Sequence, residues 1–368
     1  MQTLKSHILV TGAENFGRGG RSVISWNLTL PLCENYKFDF LSRHTVGDSE
    51  YFDKVSDRGG DILELSTNNK IKKYMHLSSE VRKNKYDIVH INADHSMEAI
   101  KMLLLFRTMG IKKFVVHAHS AKKIESKFKK ILFNFLQRYM NTFSIKKVAC
   151  SPEAAEYMFG TQEEVSIIEN GIFLENYLFS GETRKTYRES LSISDYEVIG
   201  TVGRFSQEKN PYFIVDFIDY YSKINPKFKF LWIGEGELYL ETQRELESRN
   251  LMDYVILLGN RQDVNNLLMA MDLFILPSIY EGFGIVNIEA QVGGIPCVVS
   301  EAIPTMAQIN SNFIRLPLDK GVKFWGDYIQ TLSKERLNLN NLDIFKELGF
   351  DIRHGSMKLD NQYKELLK

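Results

Sequence analysis

The chain predicts an α/β fold built from two doubly wound domains, and three observations lead there. Its 368 residues are more than one ordinary domain of roughly 100 to 200 residues takes up. Short β-like runs alternate throughout with helical-period segments, the pattern of parallel strands joined by helical crossovers. The strand runs also fall into two series, separated by a polar stretch with glycines.

The first series places strands at residues 8–11, 38–41, 61–65, 88–91, 114–117, 148–150 and 166–168, each a short apolar or β-branched run bounded by polar residues or turn formers. The second places them at 198–202, 228–233, 254–258, 273–276 and 297–299. Between the two, Asn170-Gly171-Ile172-Phe173-Leu174-Glu175-Asn176 leads into a polar segment with Gly181 and Arg184-Lys185. The expected domains are therefore 1–178 and 179–350, with 351–368 a final helix returning to the first domain. Two such domains would meet across a cleft. Ligands of doubly wound sheets sit beyond the carboxyl ends of the strands, so the loops after each strand are where chemistry is expected.

Composition narrows the function classes. Hydrophobic residues at 44% and charged residues at 25% are globular values and argue against disorder. Lys plus Arg number 46 and Asp plus Glu 46, so no global field draws the chain to nucleic acid. Cys33, Cys150 and Cys297 are far apart and form no CxxC pair, which indicates neither a disulfide framework nor a zinc site and fits a reducing compartment. The apolar runs at 8–10 and 102–106 are too short for a signal-peptide core or a membrane span. The expected location is cytoplasmic.

The most informative stretch is Pro277-Ser278-Ile279-Tyr280-Glu281-Gly282-Phe283-Gly284-Ile285-Val286-Asn287-Ile288-Glu289-Ala290, after the strand at 273–276. Gly282 and Gly284 permit a tight turn and close backbone approach to a ligand, and 285–292 can form a helix stopped by Gly293. That helix would offer free N–H groups and its positive dipole end to a phosphate. Glu281 lies in the loop and Glu289 about one turn into the helix, angled back toward its start, so both carboxylates can reach one ligand. Singly, each would be an ordinary solvated charge; the glycine context makes the pair specific.

A second candidate, Gly203-Arg204-Phe205-Ser206-Gln207-Glu208-Lys209-Asn210-Pro211, follows the strand at 198–202. Arg204 could grip a diphosphate bidentately, with Lys209 as a point charge; a solvated basic turn is the plainer alternative. In the first half, Gly17-Arg18-Gly19-Gly20-Arg21 could turn backbone N–H groups toward a phosphate or acceptor, but it lacks the third glycine of a dinucleotide fingerprint. His117 and His119 follow the strand at 114–116 on the same side, one open to a core role and the other to a site role.

Taken in order, Gly203-Arg204 to Lys209, Trp232-Ile233-Gly234-Glu235-Gly236, Asp263-Val264, Asp272 to Ser278 and the Glu281-x7-Glu289 pair resemble the retaining glycosyltransferases of family 4, which have the two-Rossmann GT-B fold. The resemblance is strong over 195–300 and collinear from the first strand to Asn170-Gly171. It implies that Arg204 and Lys209 bind the donor diphosphate, that Glu281 contacts the donor sugar and that Glu289 binds the nucleotide ribose. It further implies that the backbone at Phe283, Gly284 and Ile285 approaches sugar and phosphate, that His119 contacts the sugar, and that Gly19 and Gly20 lie near the distal phosphate. Asn210 stands where the family has a glycine, and Arg21 replaces part of its small-acidic pair. The chain contains no Asp-x-Asp triplet, and the family is usually metal-independent, so no cofactor or metal is expected. Breaking the sugar–phosphate bond develops positive charge on the sugar and negative charge on the diphosphate, which calls for cations and a helix dipole at the phosphate end. Retention by front-face attack is implied by the resemblance.

From residue 121 to 147 there are eight basic residues, Lys122, Lys123, Lys127, Lys129, Lys130, Arg138, Lys146 and Lys147, against one acid, Glu125, interleaved with Phe128, Ile131, Leu132, Phe133, Phe135 and Leu136. This pattern suits either the surface of an anionic membrane or a crossover helix with a solvated basic face. The expected activity is transfer from a nucleotide-diphosphate sugar, UDP before GDP or ADP, to a glycan or lipid-linked acceptor of a bacterial surface polysaccharide, peripheral to the inner face of the cell membrane. The rivals are a nucleotide-sugar 2-epimerase of the same fold and a non-catalytic sugar-nucleotide-binding scaffold.

Overall fold

The computed structural model describes residues 5–12, 20–42, 49–65, 69–120, 127–281, 284–338 and 342–368, which form two units. One comprises Met1–Ile172 with Gly349–Lys368, the other Phe173–Leu348. Both crossings lie slightly upstream of the seams expected at 178/179 and 350/351. Backbone bonds set them: Ile172 N–H donates to Phe350 O and Ile352 N–H to Ile172 O, at 2.8 and 3.0 Å, so residues 172 and 350–352 bind each other inside the first unit.

The first unit runs β1 (Ser6–Thr11), α1 (Gly20–Thr29), β2 (Tyr36–Ser42), α2 (Ser49–Ser56), β3 (Ile62–Glu64), α3 (Lys70–Asn84), β4 (Ile88–Ala93), α4 (Ser96–Thr108), β5 (Phe114–Ala118), α5 (Lys127–Met140), β6 (Lys146–Ala149), α6 (Pro152–Phe159) and β7 (Val165–Ile167). Its seven strands are parallel in the order β3-β2-β1-β4-β5-β6-β7. Helices cover a parallel sheet on both faces, which is why Ile8-Leu9-Val10 and Ile88-Val89 read as unbroken apolar runs and are fully buried.

The second unit runs α7 (Gly181–Ser190), β8 (Glu197–Val202), α8 (Pro211–Ile224), β9 (Phe228–Ile233), α9 (Tyr239–Ser248), β10 (Val255–Gly259), α10 (Val264–Ala270), β11 (Leu273–Leu276), α11 (Ile285–Val292), β12 (Cys297–Ser300), β13 (Phe313–Leu316), α12 (Gly321–Thr331) and α13 (Asp343–Glu347). Its sheet is again parallel, β10-β9-β8-β11-β12-β13. Both sheets are doubly wound. Strand order reverses between β1 and β4 in one unit and between β8 and β11 in the other, and the loops at those points are the ligand-binding places of such sheets.

The chain closes with α14 (Ile352–Leu367), capped by the Asp351 carboxylate on the Arg353 N–H and packed on α1 of the first unit. Ser356 Oγ donates to Leu28 O at 2.8 Å, Tyr36 Oη donates to Asp360 Oδ1 at 2.7 Å, and Tyr363 is fully buried. Among the described residues no helix is long and apolar enough to cross a membrane.

Candidate functional site

In the second unit the β8 and β11 loops are tied together by Ile279 N–H donating to Glu208 O at 2.8 Å. This brings the side chains of Lys209 and Glu281 into an ion pair, with Ser278 Oγ donating to the same Glu281 oxygen at 3.3 Å. The stem of Lys209 lies along Gly203, where an added Cβ would touch it at 3.5 Å. Arg204 is anchored differently. Its neighbour Phe205 is buried, stacks on Trp232 at 4.5 Å between centroids, and bonds through its N–H to Glu235 O, while Arg204 itself is exposed and has no ion-pair partner among the described residues. A rigid base with a free guanidinium suits an incoming anion.

Gly284 precedes α11 with φ +65°, a left-handed conformation that strains other residues. A Cβ there would lie 2.6 Å from Asn287 Nδ2 and 3.0 Å from Glu281 Cγ, so the glycine is what lets the carboxylate fold against the head of the helix. Ile285 is the first residue of α11. Glu289 sits one turn further, partly buried, its carboxyl pushed up to about 7 by burial, an effect that a hydrogen bond from Tyr177 opposes. Tyr177 Oη donates to Glu289 Oε1 at 3.0 Å.

In the first unit His119 lies just past β5, and its Nε2 is 2.7 Å from Asn92 Oδ1. The Asn92 amide donates its own N–H to Thr11 O at 2.9 Å, which turns Oδ1 toward the imidazole, so Nε2 carries the proton and Nδ1 the lone pair. Burial holds the ring neutral by lowering its pKa to about 3, with the nearby Arg21 charge adding to the effect. His117 is the core histidine of the two. It is fully buried between His90, on which it stacks at 5.5 Å between centroids, and His119, whose ring lies tilted against it at 4.2 Å. Gly20 is the first residue of α1. Arg21 is engaged inside this unit, at 3.2 Å from Asp94 and 3.3 Å from Glu98.

Thus Lys209, Glu281, Gly284 and Ile285 share the two tied loops and the head of α11, with Arg204 in the same β8 loop and Glu289 inside the helix, whereas His119 and Gly20 belong to the other unit. Gly19 and Phe283 lie outside the described residues, as do Lys122, Lys123 and the side chains of Lys127, Lys129 and Lys130. Sequence reasoning misses Tyr177 and Asn92. Tyr177 sits in a polar seam with no periodicity, and Asn92 inside a strand, so neither carries a local signal.

Residues 183–341 match the family model described as "Glycosyl transferases group 1". Over 361 residues the chain is 25% identical to "Putative glycosyltransferase EpsF" of Bacillus subtilis (strain 168), a match covering 94% of this chain and 93% of that one. It is 28% identical over 240 residues to the UDP-Gal:alpha-D-GlcNAc-diphosphoundecaprenol alpha-1,3-galactosyltransferase of Escherichia coli, covering 62% of each chain. Among solved structures, Anabaena Alr3699/HepE in complex with UDP-glucose aligns with a TM-score of 0.76 at 18% identity, covering 98% of this chain and 99% of that chain. That likeness is one of fold.

Proposed function

We propose that this chain, a glycosyltransferase of the GT-B fold, moves a sugar with retention from a UDP-sugar onto a glycan or lipid-linked acceptor in bacterial surface-polysaccharide synthesis. The observation that carries this reading is the Lys209–Glu281 pair held at the glycine-started head of α11, with the free Arg204 guanidinium in the same β8 loop. A diphosphate entering there would draw Lys209 and Arg204 to its oxygens, together with the first N–H groups of α11. Glu281, released from Lys209, would then meet the donor sugar.

The sugar–phosphate bond breaks as the acceptor oxygen bonds to the same face of the anomeric carbon. The acceptor proton passes to the departing diphosphate, whose charge Arg204, Lys209 and the α11 dipole stabilise. Glu289 takes the ribose hydroxyls. His119, neutral and with its Nδ1 lone pair available, is the proposed sugar contact in the first unit, and Gly20 the proposed phosphate-side glycine. The activity of the E. coli relative, a UDP-Gal-dependent transferase onto a diphosphoundecaprenol-linked sugar, supports a UDP donor and a lipid-linked acceptor. A membrane-surface partner is supported by α5, where Ile131 and Phe135 are 70% and 65% exposed rather than packed in the core.

Calorimetry with UDP and product analysis across UDP-sugars test the reading. Arg204→Ala and Lys209→Ala should each cost about 2 kcal/mol of UDP affinity, and transfer should persist in excess EDTA. Unchanged affinity in both variants, or activity lost to EDTA and restored by manganese, would overturn the cationic diphosphate site. An epimerised UDP-sugar formed without acceptor would assign the epimerase reaction instead.

A further inference from the structure

We infer that Tyr177 is a positioning residue of the nucleotide site, its hydroxyl holding one oxygen of Glu289 so that the other is presented to the ribose. The inference rests on the proposed ribose role of Glu289 and adds a residue outside every motif that points to that role.

Tyr177 ends the 3₁₀ turn Leu174–Tyr177, the first structure after the chain enters the second unit. The turn is docked at several points. Leu174 is buried, Asn265 Nδ2 donates to Asn176 O at 3.0 Å, and a Cβ on Gly293, just past α11, would come within 3.2 Å of Tyr177 O. The Tyr177 ring packs on the apolar cluster that contains Val286 and Ala290 of α11. The hydroxyl is therefore carried to Glu289 by an anchored backbone and a packed ring.

A glutamate on a helix has three side-chain torsions, and left alone it would sample several carboxylate orientations. Tyr177 donates its one proton to Oε1, which uses one of the carboxylate's acceptor positions and leaves Oε2 unconstrained by that bond. The phenol stays a donor at every working pH, because burial and the adjacent carboxylate raise its pKa well above the usual tyrosine value. No charged side chain among the described residues biases Glu289; burial raises its pKa to about 7 and the Tyr177 bond opposes that rise. A ribose diol prefers the ionised acceptor, so UDP affinity should increase as pH rises through the Glu289 midpoint. Loss of the tyrosine hydroxyl should move that midpoint upward.

The experiment measures binding of UDP and of its 2′-deoxyribose counterpart by calorimetry, from about pH 5.5 to 8.5, on the full chain and on Tyr177→Phe and Glu289→Gln. Tyr177→Phe keeps the ring and its packing. We expect it to weaken UDP binding about tenfold at pH 7, shift the pH midpoint of binding upward and reduce the preference for ribose over deoxyribose, with turnover at saturating donor nearly unchanged. A merely structural role would lower thermal stability without moving the midpoint or the sugar preference. If Glu289→Gln weakens UDP binding while Tyr177→Phe leaves affinity, midpoint and preference as in the parent chain, Tyr177 has no positioning role. If Glu289→Gln itself leaves UDP binding unchanged, the ribose assignment fails, and this inference with it.

Discussion

Glu281 is where charge, geometry and the proposed chemistry converge. Its carboxylate is paired with Lys209, and on the proposed reading a diphosphate would compete for that lysine, leaving the carboxylate to face a sugar that gains positive charge as the bond breaks. Glu281→Gln preserves shape and the Ser278 contact but removes the charge. It should lower turnover about a hundredfold or more while changing UDP affinity only slightly, as steady-state rates and calorimetry would show. Near-normal turnover would remove Glu281 from the reacting centre. Arg204, Lys209, Glu281 and Glu289 stand out in the sequence because each lies in a loop or helix start directly after a strand, among glycines with few other structural reasons to be there. Tyr177 and Asn92 do not stand out, because their partners Glu289 and His119 lie 112 and 27 residues away and only the folded chain brings them together.

At the scale of elements, α5 separates the two meanings of an amphipathic basic helix. A crossover helix would bury its apolar residues, yet of those between 131 and 140 only Met140 is fully buried, while Ile131, Leu132 and Phe135 are exposed; α4, which packs on α5, also exposes Leu104. Each lysine near an anionic bilayer contributes about 1 kcal/mol, and exposed apolar residues add insertion to attraction. Ile131→Ser with Phe135→Ser, and separately the five lysines 122, 123, 127, 129 and 130 replaced by glutamine, should each reduce sedimentation with anionic liposomes at low salt, while transfer to a soluble acceptor continues. A parent chain that ignores such liposomes would make α5 a solvated crossover. Strands were easier to read than such surfaces. Twelve are legible: the nine central ones because a parallel strand with neighbours on both sides is apolar on both faces, and the edge strands β3, β7 and β10 as short runs rich in Val, Ile and Leu. The thirteenth, β13, escapes notice because it is a four-residue edge strand whose apolar run Phe313-Ile314 is broken by Arg315, the guanidinium of which bonds to Ile303 O and Glu301 O.

The whole molecule divides its titratable chemistry unevenly. All eight histidines lie in the first unit, and the second has none. Three of them, His90, His117 and His119, have their rings in contact in turn across β4 and the end of β5, and burial is the leading cause that lowers each pKa, to about 3 for His90 and His119. For a group whose pKa is depressed on folding, the stabilisation is complete above the unfolded value near 6.5 and is lost as pH falls toward the folded one, because only the unfolded chain takes up the proton. His90 and His119 then each cost about 1 kcal/mol by pH 5.5, and His117 adds to that in the same direction, a sizeable share of the roughly 5 to 15 kcal/mol that holds a domain folded. Acid should therefore unfold the first unit well before the second. Calorimetric scans at about pH 7.5 and 5.5 should show one transition falling steeply with acid and another barely moving. Because Arg204, Lys209, Glu281 and Glu289 all belong to the second unit, UDP should raise the acid-resistant transition. His117→Phe and His90→Phe should flatten the acid sensitivity of the other transition if the vacated polar positions repack. Two transitions that fall together between those pH values would show that the buried histidines do not govern the acid response of the first unit.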